Sequence, residues 1–217
     1  MITQRHVFAD ADQLARNLAL NVAASLRQAL AGTAHATLAV SGGTTPQKFF
    51  EVLSQQKLNW ANVTITLVDE RQVDELSPRS NARLAKAALV QNEAAVAKFV
   101  PLYQNPAAAD VRDFDVVVLG MGNDGHTASF FPGGDTLAMA LSDSAPPLLT
   151  ISASGSGEPR LTFSLPKILA ASEIILHIQG ADKSATLDRA MSGGDEMEMP
   201  IRAVLSSGRV IEIYWCP

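Results

Sequence analysis

The sequence predicts an α/β fold, a mainly parallel open sheet with helices on both faces. Three observations predict it. Short β-branched apolar runs end in glycine or polar clusters, several of those clusters lead into helical patterns, and this order recurs along the chain. The 217 residues carry no repeat, heptad array or low-complexity tract, and they read as one domain spanning 1–217.

Each element has its own justification. From Ala11 to Ala31, Leu14, Leu18, Val22, Leu26 and Leu30 recur every four positions, so one apolar stripe runs along a long amphipathic helix. Asp10 or Asp12 is its expected cap. The run Thr37–Val40 stops at Ser41-Gly42-Gly43, and Thr45-Pro46 then opens a helical pattern carrying Phe49, Phe50 and Leu53. Val63–Val68 is rich in β-branched residues and ends at Asp69-Glu70-Arg71. Phe114–Leu119 ends at Gly120-Met121-Gly122. Ile174–Ile178 ends at Gly180 and leads into a helical pattern from Lys183 to Met191, and Val210–Trp215 reads as the last strand. The segments Ser152–Glu158 and Ser192–Glu198 are expected as surface loops bordering a site.

Composition removes several functional classes. With 47% hydrophobic and 18% charged residues the chain is not disordered. A formal charge of −5 argues against a protein built to grip nucleic acid, whereas a small anionic substrate answers to a few local cations. The single cysteine, Cys216, forms no internal disulfide and fits a reducing compartment. Met1–His6 leads into a mixed polar segment rather than an apolar signal core, and no run approaches the ~20 apolar residues of a membrane span. A cytoplasmic globular protein without a membrane partner is expected.

In an open parallel sheet ligands bind beyond the carboxyl ends of the strands, so the polar clusters there carry the chemistry. Ser41-Gly42-Gly43-Thr44-Thr45 combines inward-turning backbone amides, hydroxyls and a following helix start. That is either an anion cradle or a plain capped turn. Asp69-Glu70-Arg71 is either an ion-pair knot or places Arg71 to fork onto a phosphate or carboxylate. Gly120, Gly122 and Gly125 satisfy G-x-G-x-x-G literally. Asn123, Asp124 and His126 suit a pyrophosphate turn poorly, however, and no strand precedes the available Asp143. A histidine after a glycine turn, beside an aspartate, instead suits proton transfer or caps the next helix. Lys183 enters a helix at a strand end, where a bound anion would explain a cation, and Arg160 is a similar candidate; both otherwise read as solvated. No G-x-S-x-G, H-E-x-x-H or cysteine cluster occurs, Cys216 has no activating neighbour, and His6, His35 and His177 read as surface or core residues.

Together these motifs resemble the 6-phosphogluconolactonase family, hydrolases of the oxidative pentose phosphate pathway. The resemblance rests on Ser41–Pro46, Trp60, Asp69-Glu70-Arg71-x-Val73, Ser80-Asn81, Gly120–Pro132, Pro159–Thr162, Gly180-x-x-Lys183 and Pro200-Ile201, in the family's order over nearly the whole chain. It implies the sugar-phosphate isomerase/CoA-transferase-like fold. The alternative is glucosamine-6-phosphate deaminase, whose histidine is followed by Ile-Ala-Phe-Asn-Glu-Pro. Here the residues are Thr127-Ala128-Ser129-Phe130-Phe131-Pro132, without the carboxylate that helps ring opening there. Asp74, Arg79 and the terminal Trp215-Cys216-Pro217 depart from the family pattern.

The resemblance implies hydrolysis of a 6-phosphate sugar lactone by His126-assisted attack of water, with Asp124 orienting the imidazole and Asp69 behind it. Backbone amides of Gly120–Gly125 would serve the oxyanion, and the phosphate would lie on Ser41–Thr45 with Arg71, Arg160 and Lys183 nearby. That scheme needs no metal or organic cofactor, and the chain would act as a monomer or weak homo-oligomer. A sugar-phosphate sensor without turnover is the non-enzymatic alternative.

Overall fold

A computed structural model describes residues 2–154 and 157–217; Gly155 and Ser156, within the expected 152–158 loop, and Met1 lie outside the described residues. The elements run β1 (Ile2–Val7), α1 (Ala11–Thr33), β2 (Ala36–Val40), α2 (Gln47–Leu53), β3 (Val63–Leu67) and β4 (Asp69–Arg71). They continue with α3 (Asn81–Ala88), β5 (Lys98–Val100), β6 (Val116–Leu119), α4 (Leu137–Leu141), β7 (Leu148–Ile151) and β8 (Arg160–Phe163). The chain closes with α5 (Leu165–Leu169), β9 (Glu173–Gln179), α6 (Ala181–Met191), α7 (Ile201–Leu205) and β10 (Val210–Cys216).

Seven strands form one sheet in the order β1-β10-β9-β6-β2-β3-β5, every pairing parallel. All five residues of β2 are buried, odd and even positions alike, so protein covers both faces of the sheet at its centre. On α1, Leu14, Leu18, Val22 and Leu26 are fully buried, each contributing roughly 1.5–3 kcal/mol of transfer free energy. Asp10 is the cap, its carboxylate accepting from Gln13 N, and Ala34 ends the helix in the left-handed region.

The topology dictates where a ligand goes. From β2 the chain builds outward through β3 and β5, whereas from β6 it builds the other way through β9 and β10. The direction of winding reverses between β2 and β6, and the loops leaving those two strands must diverge, opening a crevice at the carboxyl edge. The glycine-rich segments 41–45 and 120–126 are those loops.

A second, three-stranded antiparallel sheet, β4-β8-β7, was not expected from the sequence. Val68 joins the two sheets, donating its amide to Val40 O and accepting from Phe163 N. Asp69-Glu70-Arg71 is therefore not the loop beyond a strand but the first strand of this small sheet. The edge strands β1, β5 and β7 were not expected either.

Candidate active site

The crevice between β2 and β6 is a cavity of about 380 Å³, within the roughly 300–1,000 Å³ of small-molecule sites. Its lining includes Ser41, Gly42, Gly43, Thr44 and Thr45 from the β2 loop, and Gly120, Gly122 and His126 from the β6 loop. Asp69 and Arg71 from β4, Arg160 from β8 and Lys183 from α6 complete the predicted set that it gathers. Asn123, Asp124 and Gly125 do not line it. The Asn123 carbonyl accepts from Thr186 and Arg189 on α6, and the Gly125 carbonyl from Ile201 N, so these residues anchor the loop.

At the centre, His126 Nδ1 lies 2.6 Å from Asp124 Oδ1. That bond is the main reason the Asp124 carboxyl is lowered to about 2, so Asp124 is an anion and accepts the proton on Nδ1. His126 Nε2 is left with its lone pair free to take a proton. The reading of His126 as a cap on the following helix fails, because residues 123–131 form turns closed by a Thr127–Phe130 bridge. Gly122 packs directly under the pair: a Cβ there would sit 2.1 Å from His126 Nδ1 and 2.3 Å from Asp124 Oδ1. Gly125 turns the loop at φ +82°, in the left-handed region.

Of the backbone amides of Gly120–Gly125 expected to serve an oxyanion, those of the three glycines are engaged within the protein. Gly120 N donates to Ser41 Oγ, Gly122 N to His126 O and Gly125 N to Gly122 O, so all three are spent holding the loop. The β2 loop enters a helix of only seven residues, α2, whose partial charge at the start is correspondingly small.

The wall opposite β9 is cationic. Arg71 and Arg160 face each other across the β4–β8 ladder, with Asp69 beside them. Burial lowers the pKa of Arg160, and neighbouring Arg71 lowers it further. Asp69 is itself buried and accepts from Ser129 Oγ at 2.6 Å. Arg71 Nη1 donates to Arg79 O and to Asn81 Oδ1, and Asn81 Nδ2 in turn donates to Asp69 O. Of the two readings of Asp69-Glu70-Arg71, the ion-pair knot finds no Glu70–Arg71 ion pair among the described residues: Glu70 accepts from the amides of Arg71, Asn81 and Ala82 and from Ser80 Oγ. It is an interior staple on the start of α3, and burial raises its pKa. Arg79, one of the departures from the family pattern, pairs with Glu158 at 3.0 Å.

Sequence reasoning did not single out four lining groups. Phe131 lies between His126, at 4.7 Å between ring centroids, and the Arg160 guanidinium, at 5.4 Å from its ring. Asn81 closes over Gly42, where a Cβ would meet its carboxamide at 1.9 Å. His177 and Gln179 border the cavity from β9. Asn81 and Phe131 carried a signal, within the Ser80-Asn81 and Gly120–Pro132 motifs; His177 and Gln179 carried none. Among the described residues no group of three or more His, Cys, Asp or Glu could hold a metal ion, and no helix is long and apolar enough to cross a membrane.

The chain has known counterparts in sequence and fold. Residues 9–215 match the family model described as glucosamine-6-phosphate isomerases/6-phosphogluconolactonase. A 6-phosphogluconolactonase from Rhizobium meliloti is 46% identical, the match covering 100% of both chains. The crystal structure of a 6-phosphogluconolactonase from Shewanella baltica superposes with a TM-score of 0.94 at 38% identity, covering 99% of this chain and 98% of that one. A monomeric glucosamine-6-phosphate deaminase shares the fold at a TM-score of 0.76 and 18% identity, covering 100% of this chain and 97% of that one. The chain belongs to the glucosamine-6-phosphate isomerase/6-phosphogluconolactonase family.

Proposed function

We propose that this protein hydrolyses 6-phospho-D-glucono-1,5-lactone to 6-phospho-D-gluconate. The observation that carries the reading is the His126–Asp124 pair, which leaves a basic Nε2 in a cavity with cations on two sides. The relatives reported above at 46% and 38% identity carry the lactonase name, and the deaminase likeness is one of fold. The deaminase motif has its glutamate five residues after the histidine, where this chain has Phe131. An aromatic ring against the imidazole cannot move the protons of ring opening, so the deaminase reading loses its acid–base group.

Water bound beside His126 attacks the lactone carbonyl and gives a proton to Nε2, while Asp124 stabilises the imidazolium that forms. The tetrahedral oxyanion collapses, the bond from C1 to the ring oxygen breaks, and the Nε2 proton passes to that oxygen. The product acid then ionises, which makes proton release a direct readout. With the amides of Gly120, Gly122 and Gly125 spent inside the loop, we assign the oxyanion donor to Met121 N. The phosphate lies on Ser41–Thr45 with Arg71 and Arg160, the charge of Asp69 favouring the Arg160 cation, and Lys183 adds charge from the other side. Burial lowers the Lys183 pKa, against the opposing pull of Asp124. No metal or organic cofactor enters this scheme. We further read the chain as one domain, cytoplasmic, and a monomer or weak homo-oligomer with no nucleic-acid partner; one contiguous buried core and an acidic charge support this.

The test is proton release from freshly made lactone, with glucosamine 6-phosphate and its ammonia run alongside. Acceleration on the lactone, reduced ~10²–10⁴-fold in kcat by His126→Ala, is the expected result. Ammonia release overturns the reading in favour of the deaminase. Binding without turnover of either compound points to a sensor.

A further inference from the structure

Two polar lining residues, both on β9, have no role in this scheme. His177 and Gln179 stand two apart on β9 and so face the same side of the sheet, at its carboxyl edge. His177 is 3% exposed, its ring in a T-shaped contact with Phe49 at 6.1 Å between centroids. Burial lowers its pKa to about 4, so it is a neutral imidazole at working pH. Gln179 Nε2 lies 3.2 Å from His177 Nε2. An amide nitrogen only donates, so Nε2 accepts and the ring proton sits on Nδ1. That buried Nδ1 has no hydrogen-bond partner among the described residues.

A buried N–H without an acceptor is costly, about 1–3 kcal/mol, and such a group calls for an explanation. The pair has a cheaper alternative. If the Gln179 amide turns over, its oxygen accepts from a proton moved to His177 Nε2, and Nδ1 keeps a lone pair instead of an unmet donor. The two tautomers therefore let Gln179 offer the cavity either a carbonyl oxygen or an N–H. A hydroxyl both donates and accepts, and it suits such a group; a phosphate oxygen, which only accepts, does not need it. The other side-chain amide lining the cavity is committed: Asn81 is already bonded to Arg71 and Asp69. Gln179 also stands across the β6 loop from the cationic wall of Arg71 and Arg160, away from the charge that holds the phosphate.

We infer that Gln179, held and switched by the neutral His177, is a specificity-determining residue that reads one ring hydroxyl of the lactone. The inference rests on the lactonase reading, and the experiment separates the two. Lactones lacking the 2-, 3- or 4-hydroxyl would be made by oxidising the matching deoxy-sugar 6-phosphates. Their kcat and KM would be compared with those of the parent for wild type, Gln179→Met and His177→Leu. Wild type should lose about tenfold in kcat/KM on one deoxy lactone, the worth of one neutral hydrogen bond. Gln179→Met should lose about the same on the parent and show no further loss on that deoxy lactone. His177→Leu should blunt the same discrimination, with loss on the parent mainly in KM. Gln179→Met is partly exposed and carries the test if the buried His177→Leu does not fold. Discrimination among all three deoxy lactones unchanged in Gln179→Met overturns this inference alone. No turnover of the parent lactone by wild type overturns both.

Discussion

Alanine at Gly122 probes the acid–base pair without replacing either of its members. Gly122 is not at a positive φ, so alanine fits the backbone, and the smaller unfolded-state entropy of alanine works in its favour. The obstacle is the pair above it. The new Cβ would lie 2.1 Å from His126 Nδ1, whereas real Cβ contacts essentially never fall below 3.0 Å. The imidazole must therefore retreat by about 1 Å, and Asp124 Oδ1, at 2.3 Å, must give by a comparable amount. A misplacement of that size costs on the order of 10²-fold in rate when proton transfer depends on position. We expect kcat/KM for the lactone to fall about 10²-fold, mainly in kcat, while the thermal midpoint stays near that of wild type. Gly32→Ala is the control, since nothing lies within 4 Å of a Cβ there. A Gly122→Ala enzyme within threefold of wild type would refute the geometry assigned to His126.

Two further expectations follow from the same site. Asp124→Asn should lower kcat by about 10²-fold or more, because a neutral amide can turn its N–H toward Nδ1 and favour the wrong tautomer. Its stability effect has a definite sign: the Asp124 pKa is lowered from 3.8 to about 2, so its contribution is full above 3.8 and lost as pH falls through about 2. Since the Asp124 side chain is 52% exposed, screening keeps that contribution below about 1 kcal/mol. Urea midpoints of wild type and variant should differ slightly at pH 6 and converge by pH 2; a gap that widens in acid would contradict the assignment. Glu70→Ala should destabilise the protein by more than about 2 kcal/mol in urea unfolding, because three amides and a hydroxyl lose one buried acceptor. KM should rise with it, because Asn81 and Arg71 lose their anchor; an unchanged midpoint would mean that water replaces the carboxylate freely.

The central strands were legible because each pairs local signals with deep burial. β2, β3, β6 and β9 are apolar runs flanked by glycine or polar breaks, and burial on both faces leaves such runs little alternative. The stripe on α1 was legible for the same reason. The edge strands were not. Ile2–Val7 sets four polar residues between two apolar ones, and its pairing with β10 joins the two ends of the chain, which no local pattern encodes. The small sheet was equally hidden, since Asp69-Glu70-Arg71 looks like a turn until Arg160–Phe163 is laid against it.

The sequence by itself determined the glycine loops, the Asp124–His126 spacing and the family, because these rest on residues close together in the chain and on glycine's particular freedom. Only the tertiary structure decided which cations share the cavity, that Glu70 staples a helix rather than paired with Arg71, and that His177 is a buried neutral ring beside Gln179. Those outcomes depend on desolvation and on elements that only the fold brings together. Whether a charged or polar side chain is stapled, paired or left open is set by what surrounds it after folding.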